Sequence, residues 1–417
     1  MDRISLLSDD LLLKILYLGT TKDAVTTSLL SKRWCSLWKH VPKLTYWDLN
    51  TSEYWKASRF VDKFLLLHKA PVLETMNLSL CRNCCPTDIQ TWINLAVSRG
   101  LQNLIIHRYR PGSGFIRLPR SLYTCGTLVT LKIASEFIVD YVPLTISFWS
   151  LKVLALCFVK FSSNELVDRI LSGCPVLEDL KVIRGSNDNV KTFTIAVPSL
   201  KILTIIETTC GSYIWRDGIR FVINTPSLKS LTIANQFSWC DSLVSMPYLV
   251  NADIKLRHGD SKKFEGMLIS AKHISLCLPP PMNSCPIGVF NQLVSLNICT
   301  CSLDWCRLIL NHTPKLRLLR FELKQARLYP YRDPLQRCCS SSVYVQTRWE
   351  QPSSILDCLI STLETKKVVM YLLENSRQLK AMSIRSSNLT SCVEKLKMLQ
   401  ELSSTPRTSS KCRVLFI

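Results

Sequence analysis

Leu200-Lys-Ile-Leu-Thr-Ile205 and Leu228-Lys-Ser-Leu-Thr-Ile233 are two copies of one phrase: a leucine, two variable residues, an aliphatic, one variable residue and another aliphatic. Working outward, the phrase begins upstream at Leu73, Leu101, Leu128, Leu151 and Leu177, and downstream at Leu249, Ala271, Leu293 and Leu316, at intervals of 21 to 28 residues. One match would be chance, but near-regular succession is a structural period. The fourth and sixth positions lie two apart, so on a short strand both point to one face, and the first leucine completes that apolar row. A single unit cannot cover its own apolar face. Stacked neighbours can, and they line the strands into a curved parallel sheet.

This is the spacing of leucine-rich repeats, and it places an α/β solenoid over residues 49–330. Pro198, Pro226, Pro314 and the Gly173-Cys174-Pro175 segment mark repeat boundaries. Asn164 to Leu171 carries Leu166, Val167, Ile170 and Leu171 at helical spacing and reads as an outer helix of one repeat. Ala252 and Ala271 weaken the apolar row, and local irregularity is expected there. The fifth position of each phrase faces outward, giving the ladder Asn77, Ile105, Lys132, Ala155, Lys181, Thr204, Thr232, Asp253, Ser275, Asn297 and Arg320. Its mixed chemistry suits a polypeptide surface better than a phosphate track, which would demand many more cations. These ladder residues are the candidate contacts to a captured protein.

Ahead of the repeats, Ser8 stands where it can cap a helix reaching Leu18, with Asp9 and Asp10 favouring the positive helix end. Leu11, Leu12, Ile15 and Leu16 form its apolar stripe. A second short helix is expected after Thr21, carrying Ala24, Val25, Leu29 and Leu30, and a third after Ser31, with Trp34, Leu37 and Trp38 at i, i+3 and i+4. The wording DRISLLSDDLLLKILYL, then TKDAVTTSLLSKRWCSLW, then VPKL resembles the plant F-box, over residues 1–48.

The resemblance implies a three-helix module that binds the Skp-type adaptor of a cullin-based ubiquitin ligase, using Leu7, Ser8, Leu11, Ile15, Leu29, Leu30 and Trp34. The family usually carries proline where this chain has Ser8, and commonly another where it has Thr20, which puts the strength of adaptor binding in question. At the other end, Trp349-Glu350-Gln351-Pro352, Cys358-Leu359 and KKVVMYLLENSRQLKAMSIRS resemble the FBD region of the same plant proteins. The resemblance implies a small α+β region over residues 349–417, after a linker at 331–348. Val368, Val369, Leu372 and Leu373 would form a helical face, Met382 and Ile384 a strand, and Leu396, Leu399 and Leu402 another helix. Between Leu363 and Lys366 the stretch is shorter than the family pattern and lacks a strand.

Composition narrows the function class. The N-terminus lacks a basic start followed by an apolar run, so it does not read as a secretory signal; a protein of nucleus or cytoplasm, not spanning a membrane, is expected. The 19 cysteines are then expected to be reduced. Cys81, Cys84 and Cys85 form one cluster and Cys299, Cys301 and Cys306 another, but neither has the spaced second pair a zinc site needs. The six histidines (His40, His68, His107, His258, His273 and His312) are scattered, and Gly112-Ser113-Gly114 lacks the lysine of a phosphate loop, so no enzyme and no cofactor are expected. The net charge of +21 includes a basic stretch from Lys315 to Arg337, read as a solvated face. The expected role is substrate recognition in an SCF-type ligase, its partners the Skp-type adaptor, through it a cullin, and a captured protein. Two alternatives stay open: a repeat scaffold whose F-box no longer engages the adaptor, and a basic scaffold for nucleic acid.

Overall fold

Every first, fourth and sixth position of the repeat phrases is buried, from Leu73, Met76 and Leu78 to Leu316, Leu319 and Phe321, including Ala252 and Ala271. This is the apolar row anticipated from the period. It belongs to a computed structural model that describes residues 4–47, 54–80, 84–108, 114–185, 189–207, 220–235, 239–243, 246–256, 268–278, 288–299, 309–310, 312–323, 369–370, 379–386, 396, 400–404 and 412–416. The chain divides into two compact units, Met1–Leu200 and Lys201–Ile417.

The first unit opens with helices α1 (Asp9–Leu18), α2 (Thr21–Thr26) and α3 (Trp34–Leu37). Strand β1 (Lys43–Trp47), helix α4 (Tyr54–Leu67), β2 (Thr75–Leu80), helix α5 (Pro86–Ser98) and β3 (Asn103–Arg108) follow. Next come β4 (Ile116–Arg117), α6 (Arg120–Tyr123), β5 (Thr130–Ala134), β6 (Phe137–Val139), β7 (Val153–Cys157) and β8 (Lys160–Phe161). Helix α7 (Asn164–Ser172), β9 (Asp179–Arg184) and β10 (Thr192–Ala196) close the unit. β1, β2, β3, β5, β7 and β9 pair in that order, all parallel, while β4, β6 and β8 form a smaller parallel sheet.

Helix α7 buries Leu166, Val167, Ile170 and Leu171, as its spacing anticipated, and the Asn164 side chain accepts the Lys191 amide at 3.0 Å. A Cβ on Gly173, just beyond this helix, would stand 2.5 Å from Ile146 Cγ2, so the close approach demands glycine. The residue before a phrase leucine often ties to the preceding repeat: Thr127 Oγ1 donates to the Leu101 carbonyl at 2.8 Å and Ser199 Oγ to that of Leu177 at 2.8 Å.

The second unit repeats the scheme with β11 (Ile202–Glu207), β12 (Arg220–Asn224), β13 (Ser230–Asn235), β14 (Trp239–Leu243), β15 (Asn251–Leu256) and β16 (His273–Cys277). β17 (Ser295–Cys299), β18 (Leu318–Leu323), β19 (Ala381–Ser386) and β20 (Arg413–Phe416) complete it. β11, β13 and β15 to β20 pair in order, all parallel, and β12 pairs with β14 through a register shift between Phe221 and Val222. The weak phrases at Leu249 and Ala271 keep the common register: Ala252 pairs with Ile274.

Two phrases escaped the sequence reading. Val41-x-x-Leu44-x-Tyr46 is one, its aliphatic and aromatic positions buried, and it forms β1; the sheet thus begins inside residues 1–48, ahead of the expected start at 49. Leu379-x-x-Met382-x-Ile384 is the other, equally buried, and it forms β19, paired with β18. The described strands of the FBD-like region therefore continue the repeat sheet. Val369 lies in a helical position and is buried, as is Leu402, while Leu396 is exposed. Trp349 to Pro352, Cys358-Leu359, Leu363 to Val368, Leu372, Leu373, Leu399 and the linker lie outside the described residues.

Because Leu203 is fully buried in the apolar row beside Leu231, its truncation should cost about 2–5 kcal/mol, whereas the outward Thr204 beside it should cost about 0.5 kcal/mol or less. Urea titration of Leu203→Ala and Thr204→Ala measures the contrast.

Candidate functional site

Two surfaces are candidates for contact. The helical module is one. On α1, Leu12 and Leu16 are buried, while Leu11, Ile15 and Leu18, at i, i+4 and i+7, are exposed. The helix is apolar on both sides, so one stripe builds the module and the other faces outward. α2 ends at Thr26 and a short 3-10 turn, Thr27–Leu29, follows; there Leu29 is 84% and Leu30 68% exposed. Large apolar side chains left in water at this density mark a partner surface.

Of the anticipated adaptor contacts, Leu11, Ile15, Leu29 and Leu30 stand outward, Ser8 is exposed and Leu7 is half-buried. Trp34 does not join them: with Leu37 and Trp38 it is buried, and its ring builds the interior. Leu18 and Leu6 are exposed apolar residues that the sequence reading passed over, although Leu18 sits at the helical spacing of Leu11 and Ile15.

Local chemistry holds this face in place. Ser8 occupies the N-cap position of α1 but its hydroxyl makes no capping bond, contrary to the expectation, and its φ of −64° is one that proline can adopt. Asp9 and Asp10 occupy the first turn, where the helix dipole favours them. Arg33 spans back to the start of α1: Nη2 donates to the Leu7 carbonyl at 2.6 Å and pairs with Asp9 Oδ1 at 2.6 Å. Thr20 forms a reciprocal capping box with Asp23, and those hydrogen bonds hold the Asp23 carboxyl below its ordinary pKa.

The module is also sewn to the sheet. Thr21 Oγ1 donates to the Lys43 carbonyl at 3.3 Å and accepts the Thr45 amide at 2.8 Å, so a side chain covers the free edge of β1. Lys43 Nζ reaches the Tyr17 and Gly19 carbonyls at 2.8 and 3.2 Å, satisfying the C-terminal end of α1.

The second surface is the outward ladder. Strand pairing places Asn77 opposite Ile105, then Lys132, Ala155 and Lys181, and Thr45 extends this row at its start. In the second unit Thr204, Thr232, Asp253, Ser275, Asn297 and Arg320 are aligned likewise, continued by Ser383 and Leu415. Most ladder side chains are half-buried, Arg320 is exposed and Ala155 is buried. Asp253 is engaged by Lys255 at 3.1 Å and Asn297 donates to Ser275 at 3.3 Å. Of the basic stretch, Lys315, Arg317 and Arg320 are exposed, and the residues from Lys324 onward lie outside the described ones.

Among the described residues no group of His, Cys, Asp and Glu could hold a metal ion, and no helix is long and apolar enough to cross a membrane. Cys81, Cys301 and Cys306, and Gly112-Ser113, lie outside them. Cys174 is buried, donates to the Ile170 carbonyl, and burial pushes its pKa up to about 12, as befits a structural thiol. An open cleft of about 620 Å³ beside α5 and α6 has its charges matched internally, Arg117 by Asp140 and Arg120 by the Tyr141 ring.

His68 is buried with Nε2 3.0 Å from the Val41 carbonyl; burial, aided by Arg99, lowers its pKa below 6.5. The folded state therefore prefers neutral imidazole, and its contribution, complete above pH 6.5, should fade as pH falls through the lowered folded value. Thermal unfolding between pH 7.5 and about 5 should show this acid sensitivity, and His68→Gln should flatten the slope.

Residues 4–46 match the F-box domain family, and residues 89–256 match the leucine-rich repeats of FBD-associated F-box proteins. An Arabidopsis thaliana protein, At5g56440, described among the FBD-associated F-box proteins, is 63% identical over the whole of both chains. The F-box/FBD/LRR-repeat protein At5g56420 of the same plant is 37% identical over all of this chain and 99% of its own. The FBD-associated F-box protein At5g56370, also from Arabidopsis thaliana, is 36% identical over both full lengths.

Proposed function

This chain belongs to the plant F-box proteins with leucine-rich repeats and an FBD region, and from that premise we propose that it is the substrate-recognition subunit of an SCF-type cullin ubiquitin ligase. An F-box joined to leucine-rich repeats is a receptor-type architecture, an adaptor rather than a catalyst. The helical module docks to the Skp-type adaptor through the outward stripe of α1 and the Leu29-Leu30 turn. The outward ladder captures a protein in the nucleus or cytoplasm. Tethering raises the effective concentration of that protein near a ubiquitin-charged enzyme, and the bond-forming chemistry takes place on other subunits.

The observation that carries this reading is the exposed row Leu11, Ile15 and Leu18 on a helix whose opposite face is already satisfied by Leu12 and Leu16. A soluble module gains nothing from that second apolar stripe on its own; it gains from a partner that covers it. The scaffold alternative rests on Ser8. Its backbone is already in the region proline requires, so the serine removes ring contact and pre-organisation without altering the course of the chain.

Co-purification with a plant Skp-type adaptor separates these readings. The natural chain should retain the adaptor, Ile15→Asp should lose it while remaining folded, and Ser8→Pro should tighten it by up to about thirty-fold, the equivalent of a contact worth ~2 kcal/mol. Retention by Ser8→Pro alone would establish the scaffold reading for the natural chain. Failure of both in folded protein would remove adaptor binding altogether.

A further inference from the structure

In the first unit the outward face of the sheet carries small side chains at its middle. Ala134, Ala155 and Cys157 lie side by side on β5 and β7, with Ala134 paired to Cys157 and Ala155 directly between Lys132 and Lys181. Ala155 faces outward by position yet is only 7% exposed, and Ala134 is 9% exposed. Small side chains form the floor and long ones the rim. Adjacent strands are ~4.8 Å apart, so the two lysine stems rise about 10 Å from one another, a gap that a carboxylate can bridge from both sides.

The groups around this floor feel one another. Lys132 acts on His107, Cys157 and Asp179, and Lys181 acts on the last two. Burial and Lys132 lower the His107 pKa, leaving it a neutral donor or acceptor. Asp179 is the one carboxylate among these groups, against two lysines, so the basin remains net positive.

A second, independent feature stands at the end of the same strand. Phe158, the residue after β7, has φ of +57°, a left-handed conformation that a bulky side chain rarely accepts, at a cost of about 1–2 kcal/mol. Its amide is held by the Ile183 carbonyl at 2.6 Å. The ring stays 42% exposed and lies beside Gly185, where an added Cβ would come within 3.4 Å of it. Ser135, at the aligned position after β5, has φ of +69° and its amide is held in the same way by the Cys157 carbonyl, so the turn belongs to the repeat; what is particular to Phe158 is the aromatic ring it leaves exposed at the end of the strand that carries Ala155 and Cys157.

The geometry points to a seat for an acidic segment of the captured protein, a carboxylate side chain bridging Lys132 and Lys181 over Ala155 while a neighbouring apolar side chain packs against Phe158. Carboxylate is favoured over phosphate because the basin offers two lysines without an arginine fork. Its strand amides are spent in the sheet, and Asp179 would repel a dianion more strongly than a monoanion. The assignment rests on reading the ladder as the capture surface and names the chemistry it captures.

The test uses the full chain and a short fluorescent peptide of alternating glutamate and leucine, followed by anisotropy. Lys132→Ser with Lys181→Ser should weaken binding about ten-fold and Phe158→Asn, which tolerates the left-handed backbone, about five-fold. Lys229→Ser with Lys272→Ser, the same charge change at exposed lysines of the second unit, should leave it within about two-fold. Equal losses from the two lysine pairs would overturn the site in favour of general charge attraction, and displacement by inorganic pyrophosphate as readily as by unlabelled peptide would overturn it in favour of a small-anion site. Adaptor co-purification of the same preparations keeps the two readings apart. If the adaptor is retained and the peptide ignores Lys132 and Lys181, this inference alone falls; if the peptide is seated and the adaptor is not retained, the ligase reading falls and the seat stands.

Discussion

Within each unit, the carbonyl oxygen at the second position of a repeat phrase typically accepts two backbone amides from the repeat that follows, and the rest of the unit is arranged around that bond. Glu74 receives the amides of Gln102 and Asn103, Val129 those of Lys152 and Val153, and in the second unit Lys201 those of Lys229 and Ser230. The same acceptor recurs at Arg317, which receives Lys380 and Ala381, so the bond reaches into the FBD-like region. Because the donors are the second and third residues of the next phrase, the register is locked residue against residue. A slip by one would turn the aliphatic row to solvent and the polar row to the core.

From that register come both the strength and the surface. Neighbouring repeats share one apolar row, so each leucine serves two repeats and none can be stable alone. The outward residues, being those the core does not use, are free in identity. That is how Ile105, Lys132, Ala155 and Lys181 can stand in one line although two are aliphatic and two are cationic.

The helical module solves a problem that such a sheet creates. A first strand leaves unpaired amides and carbonyls along its outer edge, an invitation to unwanted pairing. Thr21 occupies that edge with one hydroxyl that both donates and accepts, and Lys43 turns back to close α1. The seam leaves the outward stripe of α1 uncovered, so one side of the module stays exposed while the other anchors it. The exposed apolar stripe and the outward ladder of the first unit thereby belong to different elements.

Periodicity carried much of this without coordinates. Alternation within each phrase determined which residues are buried and which stand in the ladder, because strand side chains alternate as a matter of backbone geometry. The wording of the first residues likewise determined the family. The short phrases at Val41 and Leu379 were hidden by their context, one inside the F-box resemblance and the other beyond a long insertion, yet hydrogen-bond pairing joined both to the sheet. Which apolar face of α1 is interior was undetermined by a stripe in which Leu11, Leu12, Ile15 and Leu16 are all hydrophobic. Trp34 was read as a contact and proved to be core, because an aromatic suits either place until its neighbours are known. The sequence by itself thus determined the repeat, its buried row and its family. Only the tertiary structure decided the free face of α1, the continuation of the sheet through β19 and β20, and the exposed, left-handed Phe158 beside Gly185. Each of those depends on contacts between residues distant in the chain, which local period and propensity do not encode.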